Sequence, residues 1–450
     1  MVYADAIHYL YSSRPPFHMV GKEAYKPGLE TTLRLMEHVG NPHTQLSTIH
    51  IAGTNGKGST SHLIAAVLQQ AGYKVGLFTS PHLIDLTERI RVNGQPIEQT
   101  YVCDFIEQNR AFLDEKQPSF FETMTAMAFS YFVAQKVEIA VMETGLGGRL
   151  DSTNIITPLL SVITNIGIDH TEFLGETLQQ IAKEKAGIIK PNTPCVIGET
   201  HPETTEVFLS RAQECGILGA GLETTNCRIW FADQCGFMRK RRMREAPECE
   251  LMGTYQEKNM QTAYVALQAL RNCTHIQLSA SHIQQGFAQV CTLTGLRGRW
   301  EILRQQPLLI CDTAHNSHGI RYVAEQLNEL SVKQLWIVFG MVADKDIDEV
   351  LRLMPTHARY IFTTPTTQRA MPAQEMAERW RAIHPEQTPM TIPQPQEAIQ
   401  YALTHASKED AIFIGGSNYL VGEAMKDVRC TMYNVQCMML DVRQTSKLVN

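Results

Sequence analysis

The chain has 450 residues, 44% hydrophobic and 19% charged, with a formal net charge of −6. This is the make-up of a globular protein long enough for two or three domains, and its acidic balance argues against nucleic acid or an anionic membrane as the main partner. No apolar run is long enough to span a bilayer and no basic leader precedes an apolar core. The eleven cysteines, Cys103 to Cys437, contain no C-x-x-C pair, so a cytoplasmic protein with reduced thiols is expected.

The first strong element is the apolar stretch Ser47 to Ala52, read as a short buried strand. It runs into Gly53-Thr54-Asn55-Gly56-Lys57-Gly58-Ser59-Thr60, followed by a helix with Leu63, Ala66 and Val67 on its apolar side. A strand, a glycine-rich turn and a helix N-terminus make a phosphate cradle. Glycines let backbone N–H groups face the anion, and the helix end adds partial positive charge. Lys57 is placed to reach the β- and γ-phosphates of a nucleotide, with Thr54, Asn55, Gly56, Gly58 and Ser59 around it. The spacing differs from the common Walker pattern: Ile51 stands at the first glycine position and Gly58 directly follows the lysine.

Strands are then expected at Lys74–Thr79, Val137–Met142, Leu159–Thr164 and Pro194–Ile197, with helices at Tyr101–Lys116, Glu122–Ala134 and Leu178–Ala186. Such alternation implies a largely parallel sheet covered by helices. Glu223–Leu251 departs from it and is read as a short antiparallel hairpin, and the basic run Arg239-Lys240-Arg241-Arg242 with Arg244 as a solvated loop. Helices follow at Gln256–Leu270 and Ser281–Val290. The turn-rich stretch Thr292–Arg299 marks a domain break, giving domains 1–293 and 294–450. A second alternating series has strands Leu308–Cys311, Gln334–Phe339, Arg359–Thr363 and Ala411–Ile414, and helices Ser317–Leu330, Ile347–Leu353, Ala373–Ala382 and Gln396–His405.

Several motifs fall just past predicted strands, where open α/β sheets bind ligands. They are Thr79-Ser80-Pro81-His82, Glu143-Thr144-Gly145 through Asp151, and the Asp169-His170-Thr171 segment. A buried strand that delivers a carboxylate is the arrangement used to hold nucleotide-bound magnesium, so Glu143 is a metal-ligand candidate. The competing assignment for a lone glutamate there is a loop ion pair. His170 alone reads as a hydrogen-bonded structural histidine, since magnesium prefers oxygen.

The block Gly-Thr-Asn-Gly-Lys-Gly-Ser resembles the P-loop of the Mur ligase superfamily, within it the folylpolyglutamate synthase and dihydrofolate synthase branch. The resemblance implies an α/β fold: a P-loop-containing parallel-sheet ATPase domain, 1–293, followed by a smaller Rossmann-like glutamate-ligase domain, 294–450. It implies magnesium ligands at Ser80, Glu143 and His170. It also implies a carbamylated lysine at Lys185, within Glu184-Lys185-Ala186-Gly187, supporting a second magnesium. Gly253-Thr254-Tyr255-Gln256 with Asn259 resembles the segment that touches adenine. Gly298-Arg299-Trp300-Glu301 resembles the hinge whose arginine meets ATP phosphates, and Asp312-Thr313-Ala314-His315-Asn316 the motif whose aspartate holds ribose. Ser417, in Gly415-Gly416-Ser417-Asn418, is near the implied glutamate site. The pteroate side is implied by Gly28-Leu29-Glu30, Phe120-Phe121-Glu122 and Leu150-Asp151-Ser152, with Ser152 where alanine is common.

The implied reaction is ATP-dependent ligation. Phosphoryl transfer from ATP turns a carboxylate into an acyl phosphate, which the amine of L-glutamate attacks, with His315 as the candidate base. The substrates are folate or dihydropteroate, L-glutamate and ATP, with magnesium and no nucleic acid or membrane partner, and the enzyme is expected to be a monomer. Because the implied ATP contacts come from both domains, closure on nucleotide is expected. A bifunctional enzyme is favoured; the alternatives are a folylpolyglutamate synthase without the first activity and a non-catalytic nucleotide-binding regulator. A peptidoglycan-precursor ligase is disfavoured because its family members carry a UDP-binding domain ahead of the P-loop.

Overall fold

The computed structural model of the protein describes residues 1–15, 28–217, 228–235, 248–343 and 345–426. The chain divides into two compact units, Met1–Leu296 and Arg297–Asn450. Strands of the first unit are β1 Ser47–Ala52, β2 Val75–Phe78, β3 Ile90–Val92, β4 Gln95–Pro96, β5 Ile139–Glu143, β6 Leu160–Ile163, β7 Cys195–Ile197 and β8 Ile229–Phe231. They form one sheet in the order β4-β3-β2-β5-β1-β6-β7-β8. It is parallel except at the β2–β3–β4 edge. Its helices are α1 Tyr3–Ser13, α2 Glu30–His38, α3 Lys57–Gln70, α4 Gln99–Lys116, α5 Phe120–Ala134, α6 Thr171–Leu174, α7 Leu178–Ala186, α8 Thr205–Glu214, α9 Gln256–Cys273, α10 Ala280–Ala288 and α11 Val290–Thr294.

Neighbouring strand residues point to opposite faces. Ile49, Ile51, Leu77 and Val141 join a core with α3, α9 and α10, whereas Phe78, Ala140 and Met142 join another with α1, α2, α4 and α5. Helix α3 is buried continuously from Ser59 to Leu68. Against it α10 packs so closely that a Cβ on Gly286 would lie 2.6 Å from Val67. The chain runs from β1 outward to β2 and back to β5, then crosses to β6, β7 and β8 on the other side. The strand order therefore turns at β1, and the segment after β1 is where a ligand belongs.

The hairpin expected over Glu223–Leu251 needs correction in its described part. β8 pairs in parallel with β7, from Cys195↔Ile229 to Ile197↔Phe231, because the apolar Ile229-Trp230-Phe231 extends the buried sheet. The basic run from Arg239 to Arg244 lies outside the described residues. Helices α1 and α2 and the β3–β4 edge add to the pattern read from sequence.

In the second unit β9 Glu301–Gln305, β10 Leu308–Asp312, β11 Leu335–Phe339, β12 Arg359–Phe362, β13 Met390–Thr391 and β14 Ala411–Gly415 form a sheet ordered β13-β12-β11-β14-β10-β9. All pairs are parallel except β9 with β10. Its helices include α12 Ser317–Asn328, α13 Ile347–Leu353, α14 Ala373–Ile383 and α15 Pro395–His405. No described helix is long and apolar enough to cross a membrane.

Candidate active site

The loop between β1 and α3 is built on close backbone contacts. Gly53 has φ +151°, and a Cβ there would lie 1.8 Å from the Thr164 hydroxyl; Gly56 has φ +78° as the N-cap of α3, and its Cβ would lie 2.1 Å from Asn259 Oδ1. Thr54 N donates to Asn165 O at 2.9 Å and Asn55 N to Asn165 Oδ1 at 2.9 Å. These two amides, which the sequence placed among the phosphate contacts, tie the loop to the strand end after β6. The first intrahelical bond of α3 runs from Thr60 N to Gly56 O. The N–H groups of Lys57, Gly58 and Ser59 thus lie ahead of the helical ladder, and they are the donors such a site offers an anion.

Two lysines converge on this loop. Lys57 Nζ donates to the carbonyls of Gly53, 3.1 Å, and Thr54, 3.2 Å, while Lys185 Nζ donates to the same Gly53 carbonyl at 2.9 Å. Lys185 comes from α7 and is buried. Burial, then the nearby charge of Lys57, pushes its ammonium from an ordinary 10.5 down to about 7, against the opposing pull of Asp169 and Asp151. Asp169 is a carboxylate near this lysine that sequence reasoning did not single out. Backbone packing holds α7 here: a Cβ on Gly187 would lie 2.4 Å from Arg149 Cα, and one on Gly148 2.9 Å from Glu184 O. The two glycine-bearing motifs are thus one packed unit, joined also by Arg149 and Glu184 at 2.9 Å.

The metal candidates sit on adjoining strand ends. Register pairs Ile51 with Glu143 and Phe78 with Met142, placing Glu143 level with the end of β1 and just beyond β2. Glu143 is buried, and its Oε2 accepts the Ser80 backbone N–H at 3.1 Å. The neighbouring Thr144 hydroxyl is buried without a partner among the described residues. A buried carboxylate, a serine bound to it through its backbone and an orphaned hydroxyl just past a central strand are oxygen chemistry that fits magnesium. His170 has φ +51°, caps α6 and lies 3.9 Å from Asp169 through Nε2. Among the described residues no three His, Cys, Asp or Glu side chains form a metal cage.

The pteroate-side candidates divide. Phe121 lies 5.6 Å from Phe78, ring to ring, and a Cβ on Gly145 would come 2.6 Å from its edge, so the ring packs over the loop after β5. Glu122 is committed elsewhere: it closes a capping box with Ser119 and accepts the Thr32 hydroxyl at 3.0 Å. Asp151 is buried and receives the N–H groups of Gly145, 2.8 Å, and Leu146, 2.9 Å, and both donors of Thr153. Burial nonetheless raises its carboxyl above the ordinary range. Leu150 and Ser152 flank it, half-buried. Gly28 has φ +107° with no described atom within 4 Å of where a Cβ would stand, Leu29 precedes α2, and Glu30 pairs with Arg34 at 2.6 Å on the surface.

In the second unit, Asp312 at the end of β10 accepts Trp300 N and Ala314 N, both at 2.7 Å, fastening the 298–301 turn to the loop after β10. Arg299 donates to Gly298 O at 3.2 Å and to the Thr313 hydroxyl. His315 Nδ1 lies 3.0 Å from Thr313 O, which places the proton of a neutral ring on Nδ1 and its basic lone pair on Nε2. Asp312 is paired in register with Gly415, and the buried Ser417 follows, its Oγ accepting Leu420 N at 3.2 Å.

Known proteins resemble this chain in sequence and in fold. The family description "Mur ligase middle domain" matches residues 51–267, and "Mur ligase, glutamate ligase domain" matches 298–418. The dihydrofolate synthase/folylpolyglutamate synthase of Bacillus subtilis is 33% identical over 423 residues, covering 91% of this chain and 96% of that one. The Escherichia coli protein of the same name is 32% identical over 385 residues, covering 84% and 85%. Among solved structures, E. coli FolC in complex with DHPP and ADP superposes with a TM-score of 0.79 at 26% identity, covering 96% of this chain and 99% of that one. The Mycobacterium tuberculosis folylpolyglutamate synthase complexed with ADP gives 0.81 at 29%, covering 95% and 98%. A bifunctional folylpolyglutamate synthase/dihydrofolate synthase with Mn, AMPPNP and L-glutamate bound gives 0.78 at 28%, covering 95% and 98%. The two-unit α/β fold, the phosphate loop at the turn of the strand order and relatives matched over nearly their whole length lead to one conclusion: the chain belongs to the dihydrofolate synthase/folylpolyglutamate synthase family of the Mur ligase superfamily.

Proposed function

We propose that this ATP-dependent ligase carries both activities of its family, joining L-glutamate to dihydropteroate and then to the γ-carboxylate of folyl-glutamates. The observation that carries the reading is the convergence of Lys57 and Lys185 on one carbonyl of the phosphate loop, one strand from buried Glu143. The relatives named for both activities, and the neighbours bound to ADP, DHPP and L-glutamate, support it.

A carboxylate does not condense with an amine at neutral pH, because its leaving group is oxide. Transfer of the γ-phosphoryl group to the acceptor carboxylate releases ADP and makes an acyl phosphate. The glutamate amine attacks that carbonyl, a proton leaves the nitrogen, and inorganic phosphate departs. The protein's task is positioning and charge neutralisation. The N–H groups of Lys57, Gly58 and Ser59 cradle the phosphates and the Lys57 ammonium meets the transferred group. Glu143 and the Ser80 hydroxyl would hold magnesium, with His170 and a carbamylated Lys185 at a second ion; bound magnesium supplies positive charge at the phosphate oxygens. Asn259, Arg299 and Asp312 serve the nucleotide, Ser417 the incoming glutamate, and His315 Nε2 accepts the amine proton. Phe121 offers its ring to the pterin. Asp151 shapes the loop beneath it.

ADP release with glutamate and magnesium, compared for dihydropteroate and tetrahydrofolate as acceptors, tests the two activities. Turnover with both is expected. Turnover with tetrahydrofolate alone would limit the chain to the second activity, and turnover with neither would reject the reading. For the pterin contact, Gly145→Ala is expected to push Phe121 aside and raise KM for the acceptor by roughly tenfold, from a ~1–3 kcal/mol overpacking cost. KM for ATP should hold; a parallel rise in both would disconnect Phe121 from the acceptor.

A further inference from the structure

A buried polar chain links helix α9 to the phosphate loop. Asn259 Nδ2 donates to Gln256 Oε1 at 2.8 Å, and Gln256 Nε2 donates to Ser59 Oγ at 3.2 Å. All three side chains are buried, with relative exposures of 6%, 1% and 2%. The direction of the chain follows from the placement of the Asn259 amide, whose nitrogen faces Gln256. An amide oxygen only accepts and its nitrogen only donates, so a Gln256 oxygen held by Asn259 leaves the nitrogen for Ser59. Asn259 is itself seated, its Oδ1 lying 2.1 Å from where a Cβ on Gly56 would stand.

The consequence falls on Ser59. A hydroxyl has one proton, and Gln256 has filled an acceptor position of its oxygen, so the Ser59 proton must be given to something else. Among the described residues no hydrogen bond takes it. Ser59 lies in the first turn of α3, beside the N–H groups of Lys57 and Gly58 that precede the helical ladder. Donors gathered at one helix start call for an anion. We propose that Gln256 is a positioning residue: by donating to Ser59 Oγ it commits the Ser59 proton to the phosphates of the nucleotide. The inference rests on the nucleotide site proposed above and adds a dependence that site does not require, in which a side chain of α9 sets the polarity of a hydroxyl in the first turn of α3.

The test is equilibrium binding of ADP by calorimetry to the full chain, with the melting temperature of each nucleotide-free variant measured alongside. Ser59→Ala and Gln256→Met are each expected to weaken ADP binding by roughly tenfold, the worth of one hydrogen bond to a charged group. The double variant is expected to bind no more weakly than the weaker single one, because Gln256 has nothing to direct once the hydroxyl is gone. If Gln256→Met does not fold, Gln256→Glu keeps the length and the Asn259 bond. Its carboxylate accepts from Ser59 instead of donating, so weaker ADP binding is again expected. Losses that multiply in the double variant overturn the proposal, as does full ADP affinity in either Gln256 variant. Wild-type protein that binds no ADP would reject the nucleotide site itself, an outcome distinct from the others.

Discussion

Lys57→Ala is expected to lower folate-dependent ADP release by at least about a hundredfold, with little change in melting temperature. The magnitude is that of removing one preorganised donor from a developing charge, roughly 10²–10³ in rate. The lysine's ammonium lies folded on the carbonyls of Gly53 and Thr54, at 3.1 and 3.2 Å. No carboxylate partner holds it there in those bonds, so a phosphate oxygen is the stronger acceptor when nucleotide enters. The fold should not suffer. Lys57 and Lys185 share the Gly53 carbonyl, so that carbonyl keeps a donor when Lys57 is removed. Lys57→Arg is expected to rescue poorly, since a planar fork does not replace a compact charge in a tight cradle. Turnover near wild type in Lys57→Ala would remove the lysine from the mechanism.

The second expected result concerns Lys185. Only an uncharged amine reacts with carbon dioxide. A lysine at 10.5 is about one part in three thousand neutral at pH 7, whereas one at about 7 is roughly half neutral. Carbamylation would also reverse the local electrostatics, turning a like-charge neighbour of Lys57 into an opposite one. Lys185→Ala is therefore expected to lose most ligase activity, about a hundredfold or more, by the same measure as a lost charge at the phosphates. In bicarbonate labelled with carbon-13, the wild type should show a carbamate resonance that Lys185→Ala lacks. Absence of that resonance in active enzyme would remove carbamylation from the mechanism.

The uncarbamylated lysine has a further signature in stability. Between pH about 7 and 10.5 the unfolded chain holds a proton at this position that the folded chain does not. Folding stability of the carbonate-free protein therefore rises with pH across that window, by at most about 1.4 kcal/mol per pH unit from this group. Below pH 7 the folded chain carries the charged, buried lysine and the full cost. Lys185→Met, without that cost, should exceed the wild type in melting temperature at pH 7, and the gap should shrink by pH 9. A gap that does not change with pH would contradict the assigned titration.

The sequence by itself determined the fold class, the order of most elements and the glycine-rich turn between β1 and α3. Each rests on local pattern: the apolar run Ser47–Ala52, the glycines around Lys57, and the strand-helix alternation that returns after Arg299. The resemblance places Glu122 among the acceptor contacts, and only the structure shows its carboxylate bonded to Ser119 and Thr32. Only the tertiary structure decided which residues meet across long separations. Lys185 reaches the carbonyl of Gly53, Asn165 takes the amides of Thr54 and Asn55, and Gln256 reaches the hydroxyl of Ser59. It also decided that Ile229–Phe231 continues the sheet in parallel. The physical reason is common to these cases. Hydrophobic period and turn chemistry act over a few residues and are written in the chain, whereas burial, register and shared acceptors arise once distant strands lie side by side, and they alone set the charge of a lysine or the direction of a hydroxyl.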